Sequence, residues 1–376
     1  MTTPKASICL CMIVKNEAPV IRRCLDSVLP LIDHWVIVDT GSTDGTQDII
    51  QSHLAGVPGT LYERPWQDFA HNRSESLALA RQHADYSLVI DADDFLEPVA
   101  EPGLLDLTHD CYTMDIIDPP LQYMRKQLVH NRLEWRYRGV LHEFMDCAEP
   151  HTVGHVPWRM RRNHDGARRR DPQTYAKDAE LFVRALETEK DTFLRSRYTF
   201  YLAQSYRDSQ HYDQAIAHYL QRSVMGGWQD EVYYSLYEVG RLKQRLELPD
   251  DEVLAAYEAA SQAMPSRIEA LHDASRLCRL KGRYQQGYEI AKRGLGKPYL
   301  PDTLFGRPWM YETGLLDEFA VNAYWTGHYA ESLDACLRIL DTEKMSGADL
   351  HRVVGNAKYA LEKIMAAAQA QGVTGI

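Results

Sequence analysis

Residues able to bind a metal ion and phosphate groups occur in three short segments, at 15–17, 39–45 and 91–94. Asp91 and Asp93 lie two residues apart, and hard divalent cations prefer such carboxylate oxygens, often together with substrate phosphates. The 39–45 segment reads Asp-Thr-Gly-Ser-Thr-Asp-Gly, in which the glycines permit positive φ and a close approach of the chain to a ligand. An acidic pair alone is common on solvated loops, so a metal and nucleotide site requires these segments to meet.

Two aspartates in the 39–45 segment have different interpretations. Asp39 follows an apolar stretch, where its carboxylate can accept hydrogen bonds from a base or a ribose. Asp44 precedes the next helical pattern, and Asp is a favoured residue for capping helix N-termini. Asp44 therefore has two interpretations that remain open, ligand binding and helix capping.

The apolar pattern predicts how these segments are positioned. Continuous apolar runs at 7–14, 35–38 and 87–90 are typical of strands buried on both faces. Helical spacing over 18–29 and 69–82 separates them, so strands and helices alternate, which predicts a parallel sheet with right-handed crossovers. Ligands of such sheets bind at the carboxyl ends of the strands. All three polar segments follow strands, so we expect them to share one edge.

The pattern changes in the second half of the chain. Short segments with strand character continue to about residue 162, and Asp171-Pro172 is the expected boundary between a domain of residues 1–170 and one of residues 171–376. The second domain is helical and repetitive, and it resembles tetratricopeptide repeats; an ordinary helical bundle is the alternative. The segments that echo one another lie at 210–215, 282–287 and 327–332, with a weaker copy at 234–265.

Composition narrows the class of protein. The chain has 376 residues, 45% of them hydrophobic, and a net charge of −11, which argues against a general nucleic-acid or anionic-membrane binder. No apolar stretch approaches the roughly 18 residues of a membrane span, and the N-terminal pattern does not predict a cleaved signal. The seven cysteines form no CxxC pair, and Cys9 and Cys11 are expected to be reduced core residues. These features predict a cytoplasmic protein.

The combined motifs resemble those of glycosyltransferase family 2. The resemblance rests on residues 11–17, 36–46 and 91–94, in this order and spacing, and covers about residues 5–165. It implies an α/β fold with a GT-A, Rossmann-like, mostly parallel sheet, followed here by an all-α, TPR-like helical-repeat domain. The appended repeats resemble those of bacterial family-2 enzymes that carry a helical-repeat domain, a group that includes peptide S-glycosyltransferases of the sublancin type.

The resemblance also implies roles for residues of the first domain. Asp39 would contact the nucleotide base, Arg73 would contact the nucleotide and Asp91 would lie near the ribose. Asp93, together with Asp91, would bind Mn²⁺ or Mg²⁺, and His164 is the expected further metal ligand. The remaining residues expected to bind the donor nucleotide are Asn16, Glu17 and Asp44.

The catalytic base and an arginine cluster complete the set of predicted features. By resemblance, a late carboxylate acts as base, and Glu143 is the candidate. The preceding His142 is the alternative base, and its other interpretations are a metal ligand or a structural neighbour. Six arginines lie between residues 159 and 170. They have three interpretations: a clamp for the diphosphate, an ordinary solvated surface, or a docking site for a polyanion.

The predicted function is an inverting, metal-dependent transfer of sugar from a nucleotide-diphosphate sugar, a UDP-sugar by expectation. The acceptor would be a peptide, protein or glycan that the helical repeats bind. One alternative is a non-catalytic nucleotide-sugar-binding scaffold whose repeats bind proteins, and another is a glycosyltransferase acting on a nucleic-acid or glycan acceptor. A nucleotidyltransferase fits less well, because Lys15-Asn16-Glu17 stands where a glycine-rich loop is expected.

Overall fold

The structure is a computed structural model that describes residues 6–98, 106–119, 121–301, 303–344 and 346–370, without the side chains of Leu121 and Arg169. The chain divides into two compact units, residues 1–188 and residues 189–376. Each unit has hydrophobic clusters of its own. The boundary expected after residue 170 stays a prediction.

The first unit begins with alternating strands and helices, as the sequence predicts. Strands β1, β2, β3 and β4 pair in parallel in the order β3-β2-β1-β4. The sequence pattern had not indicated β3, whose residues are mostly only half-buried. The elements are β1 (Ile8–Val14), α1 (Ile21–Val28), β2 (His34–Asp39), α2 (Thr46–His53), β3 (Gly59–Glu63), α3 (Phe69–Ala80) and β4 (Tyr86–Val89).

The sheet continues with strands of mixed direction. β7 pairs antiparallel with both β4 and β6, whereas β10 is parallel to β6 and antiparallel to β5. β8 and β9 form a separate antiparallel hairpin. These elements are β5 (Phe95–Leu96), β6 (Cys111–Asp118), β7 (Leu121–His130), β8 (Arg136–Arg138), β9 (Phe144–Asp146), β10 (Val153–Arg161), α4 (Ala167–Arg170) and α5 (Thr174–Thr188).

Strand β1 lies at the centre of the first unit and is covered on both faces. Leu10 and Met12 pack in the cluster on one face, while Cys9 and Cys11 pack on the other, because alternate side chains of a strand point to opposite faces. Both cysteines are free thiols, and burial raises the pKa of Cys11 to about 12. The continuous apolar run thus becomes a central strand, and the α/β prediction is confirmed.

The second unit consists of helix pairs with the predicted repeat pattern. Tyr212, Tyr284 and Tyr329, which mark the three strongest sequence copies, are each the first residue of the second helix of a pair. The weaker copy corresponds to α8 and α9. The helices are α6 (Thr192–Asp208), α7 (Tyr212–Ser223), α8 (Gln229–Arg245), α9 (Asp250–Ala263), α10 (Glu269–Leu280), α11 (Tyr284–Lys292), α12 (Leu315–Trp325), α13 (Tyr329–Asp341) and α14 (Gly347–Ala370).

Close packing between α8 and α9 explains why one position of the repeat pattern is a glycine. A Cβ atom added at Gly240 on α8 would lie 2.5 Å from the ring of Tyr257 on α9, so only glycine fits there. Tyr257 is fully buried in the cluster that joins the two helices.

Over the described ranges, no helix is both long enough and apolar enough to cross a membrane.

Candidate functional site

The segments after β1 and β2 are joined by hydrogen bonds at the carboxyl edge of the sheet. The backbone N–H of Asn16 donates to Ser42 Oγ at 2.9 Å, and Thr43 N–H donates to Asn16 Oδ1 at 2.8 Å. Asn16 adopts a positive φ of 57°, a conformation that asparagine tolerates better than most residues. The structure therefore brings the 15–17 and 39–45 segments together, as the strand order predicts.

At this edge of the sheet, one carboxylate oxygen of Asp39 has no hydrogen-bond donor among the described residues. Its Oδ1 accepts from the backbone N–H groups of Gly41 and Ser42, both at 2.8 Å. Its Oδ2 is buried and has no hydrogen-bond partner among the described residues, although the residue is only 1% exposed. A buried acceptor without a donor is costly, so a ligand N–H that reaches Oδ2 would be bound favourably.

Asp44 uses both carboxylate oxygens within the loop. Oδ1 accepts from Thr46 N–H and Oδ2 accepts from Ala18 N–H, each at 3.1 Å. Slight desolvation opposes ionisation, but the hydrogen bonds that Asp44 accepts, first from the Thr46 hydroxyl and then from the Ala18 and Thr46 N–H groups, outweigh it and lower the pKa of Asp44. The geometry supports the capping interpretation, since Thr46 is the first residue of α2.

Arg73 links two predicted site residues that are far apart in the sequence. Its guanidinium lies 2.5 Å from Asp91 Oδ1 and 2.7 Å from Glu143 Oε1, and it lies 5.6 Å from the ring centroid of Tyr137. Burial alone would raise the pKa of Asp91, but the charge of Arg73 outweighs it and lowers the pKa to about 2. The expected ribose ligand, nucleotide ligand and base thus form one partly buried ionic group, with side chains 11–25% exposed.

Asp93 lies in an acidic environment beside a second loop. Burial, followed by the charge of Asp91, raises the pKa of Asp93. Its backbone carbonyl accepts from Arg23 at 2.8 Å, and Arg23 also binds Asp165. A Cβ atom on Gly166 would lie 2.6 Å from Asp93 Oδ2, so the loop approaches this carboxylate through a residue without a side chain.

Two further acids near Asp93, Glu17 and Asp94, also have raised pKa values. Burial raises the pKa of Glu17 to about 7, although Ala167 N–H donates to its carboxylate at 3.1 Å. Burial and the charge of Asp91 raise the pKa of Asp94 to about 8. An added cation beside these carboxylates would stabilise their charged forms, which burial and the neighbouring acids disfavour.

No three His, Cys, Asp or Glu side chains in the described ranges form a group ready to hold a metal ion. His164 instead places its Nε2 2.7 Å from Asp118 Oδ1, a partner that no sequence feature indicated. The metal set of Asp91, Asp93 and His164 stays a prediction. Asp93 fits a hard cation best, because its acidic neighbours disfavour its charge and its carboxylate has hard oxygen donors.

His142 and the arginines between residues 159 and 170 contact residues other than Arg73, Asp91 and Glu143. His142 is exposed, has a φ of 50° and stacks parallel to Phe182 with 6.3 Å between ring centroids. Most described arginines between residues 159 and 170 pair with acids of the first unit, and the side chain of Arg169 lies outside the described part. The recorded contacts are Arg159 and Arg161 with Glu97, Arg162 with Asp94 and Asp118, Arg168 with Asp178, and Arg170 with the carbonyls of Asn16 and Asp165.

Residues 9–163 match the family model described as glycosyl transferase family 2. The N-terminal part of this chain is a glycosyltransferase family 2 domain. A TPR repeat-containing protein of Synechococcus elongatus is 27% identical over 322 residues, which cover 77% of this chain and 75% of that protein. The lipopolysaccharide core biosynthesis glycosyltransferase LpsC of Rhizobium meliloti is 35% identical over 105 residues, 28% of this chain and 38% of LpsC. The chain is thus a glycosyltransferase with a TPR-like helical region.

Solved structures resemble the chain only distantly. Residues 1–349 of S. aureus TarS in complex with UDP-GlcNAc align with 75% of this chain and 92% of that chain, at 13% identity and a TM-score of 0.36. TPR-like repeats of a Podosopora anserina kinesin light chain align with 46% of this chain and 90% of that chain, at 16% identity and a TM-score of 0.34.

Proposed function

We propose that this glycosyltransferase transfers a sugar, with inversion, from a UDP-sugar to an acceptor that the helical repeats bind. The observation that carries the proposal is the partly buried ionic group in which Arg73 contacts both Asp91 and Glu143. Asp91 of this group follows β4, and Asp39, with its unsatisfied Oδ2, ends β2 on the other side of β1. A donor extended along this edge would reach both.

The nucleotide end of the donor would bind at Asp39. Uracil has an imide N–H, and Asp39 Oδ2 is a buried acceptor without a partner among the described residues. Asp91 would accept from ribose hydroxyls while Arg73 keeps it ionised. Asn16 and Glu17 would line the same edge.

The transfer step requires a base beside the sugar. The acceptor hydroxyl, amine or thiol would attack the anomeric carbon from the face opposite the diphosphate, and the bond from that carbon to the diphosphate oxygen would break. Glu143 would take the proton of the nucleophile as the new bond forms. Arg73 would hold the Glu143 carboxylate in place through their contact at 2.7 Å.

A divalent cation fits beside Asp93. This carboxylate, with Asp91 nearby, would hold Mn²⁺ or Mg²⁺ together with oxygens of the diphosphate. The ion would supply Lewis-acid stabilisation of the charge on the leaving diphosphate. His164 would bind the ion through Nδ1, because its Nε2 contacts Asp118 at 2.7 Å, and a carboxylate partner of this kind is common for metal-binding histidines.

A panel of nucleotide sugars tests the proposed donor. We expect UDP and one UDP-sugar to raise the melting temperature with Mn²⁺ present, because a ligand that binds the folded state stabilises it. Asp39→Asn should weaken UDP binding by about 10- to 100-fold, since it replaces a charged acceptor by an amide. Asp48→Asn, an exposed change on α2, is the control. Equal binding by Asp39→Asn and wild type would contradict the role of Asp39.

Calorimetry with Mn²⁺ and UDP tests the cation site. We expect Mn²⁺ to tighten UDP binding by wild type, and Asp93→Asn to remove most of that gain because it removes the ionised ligand. Asp48→Asn, at an exposed position of α2, is the control for general loss of acidic charge. An undiminished Mn²⁺ effect in Asp93→Asn would exclude Asp93 as ligand.

A further inference from the structure

The helical unit contains a cavity of about 1,400 Å³, lined only by residues of that unit. Its wall includes residues of α6, α8, α10, α12 and α14 together with the segment before α12. Pockets for small molecules usually measure roughly 300–1,000 Å³. The cavity therefore has room for a length of extended chain.

Some arginines of this cavity are neutralised by neighbouring carboxylates. Glu238 and Glu318 are buried, and each would be costly to bury without a cation. These ion pairs form part of the cavity wall, and because their charges largely cancel they attract a charged ligand only weakly. They are Arg207 and Arg241 with Glu238, Arg279 with Glu318, and Arg352 with Asp317.

Three other arginines of the cavity have no carboxylate within 4 Å in the part of the chain that the structure describes. They are Arg245, Arg276 and Arg307. Arg245 lies 4.9 Å from the ring centroid of Tyr212, and Arg276 is exposed. Arg307 is half-buried and lies 5.7 Å from the ring centroid of Tyr237. The three form no ion pair within 4 Å among the described residues. Burial opposes ionisation of Asp273, but the hydrogen bond with His272 and, after it, the charge of Arg307 help to lower the pKa of Asp273.

The cavity also offers an aromatic and polar surface between these arginines. His272 Nδ1 lies 2.8 Å from Asp273 Oδ1, and Tyr237 donates to Asp273 Oδ2 at 2.6 Å. Trp309 packs its ring edge-on to His272 and remains 51% exposed. An apolar side chain of a bound segment would find contact area on Trp309.

We propose that this cavity binds an extended acidic segment of a protein, whose spaced carboxylates pair with Arg245, Arg276 and Arg307. A nucleic acid fits less well, because its regular phosphates would also meet the acidic wall residues Asp208 and Asp349. A peptide can place its acids beside the arginines and uncharged residues beside the wall acids. The inference rests on the part of the proposed function that assigns acceptor or partner binding to the helical repeats.

The test uses the full chain and an array of random twelve-residue peptides built from Asp, Glu, Gly, Ser, Leu and Tyr. A paired array replaces every Asp and Glu by Asn and Gln, and a single-stranded thymidine oligonucleotide is a third probe. We expect binding to acidic peptides, weakened by salt. We also expect weak binding to their amide counterparts and to the oligonucleotide. Preference for the oligonucleotide, or equal binding to both arrays, would overturn the proposal.

Charge reversal locates the binding surface. Arg276→Glu with Arg307→Glu should weaken binding of the best acidic peptide by tenfold or more, because two charge-assisted pairs become repulsive. Arg338→Glu on α13 is the matched control, since its exposed partner is Asp334 and it does not line the cavity. If the double variant does not fold, Arg276→Gln at the exposed position replaces it. Unchanged affinity in the folded variant would contradict the assignment.

Peptide binding is measured without nucleotide sugar, and donor hydrolysis is measured separately on the same variants. Arg276 and Arg307 belong to the helical unit, so we expect their variants to retain donor hydrolysis. Peptide binding without any transferase activity would contradict the proposed function alone. Donor hydrolysis without selective peptide binding would contradict this inference alone.

Discussion

Glu143→Gln is expected to lower the turnover of sugar transfer by about 10³-fold while donor binding stays within a few-fold of wild type. General bases contribute roughly 10²- to 10⁴-fold, and an amide cannot take the proton of the acceptor. Gln keeps the size of the side chain, and Arg73 keeps Asp91 as its partner, so the donor edge should remain ordered. Single-turnover transfer and UDP titration measure the two quantities separately.

The controls separate Glu143 from its neighbours. Asp146→Asn on β9 removes an acid from the same hairpin, where Asp146 lies 3.4 Å from Arg138, and should leave turnover nearly unchanged. His142→Asn tests the alternative base, because asparagine tolerates the positive φ at this position. A large loss in His142→Asn with a small one in Glu143→Gln would move the base to His142. Donor binding without turnover in every protein, wild type included, would favour the scaffold alternative.

The sequence predicted the central strands because their burial is a local property. β1 is covered on both faces, and its continuous apolar run contains that information. β3 was missed because its half-buried residues form neither an apolar run nor a clear alternation. The repeat helices were found because a tyrosine occurs at the same helix start in three copies.

The convergence of the polar segments at one edge also followed from the sequence, since strand order and direction determine it. The contact of Arg73 with Glu143 did not, because the two residues are far apart in the chain. It depends on the hairpin of β8 and β9 docking on α3, where Tyr137 N–H donates to Ser74 Oγ at 2.8 Å. The sequence also did not predict the acidic partners of the arginines between residues 159 and 170, because tertiary packing rather than sequence spacing determines which opposite charges pair.

Substitution of Arg73 is expected to lower both the stability of the fold and the turnover of sugar transfer. Arg73→Ala leaves Asp91 and Glu143 without their shared cation. Breaking a fully buried pair costs about 3–5 kcal/mol, and since these side chains are 11–25% exposed we expect a loss of about 2–3 kcal/mol. Urea unfolding measures the free energy of unfolding. Arg64→Ala is the control, because Arg64 forms a more exposed pair with Glu75, and such pairs contribute about 1 kcal/mol or less. A loss for Arg73→Ala no larger than that of the control would contradict the shared-cation role.

Arg73→Lys separates position from charge. Lysine keeps the charge but lacks the planar fork that reaches two carboxylates at once, so we expect turnover to fall by about tenfold or more in a folded protein. If Arg73 acts by holding the base, the same substitution should cost little further turnover once Glu143→Gln is present. Independent, multiplicative losses in the double variant would show that Arg73 acts on the donor alone. The double-mutant cycle thus decides whether Arg73 positions the base as well as binding the donor edge.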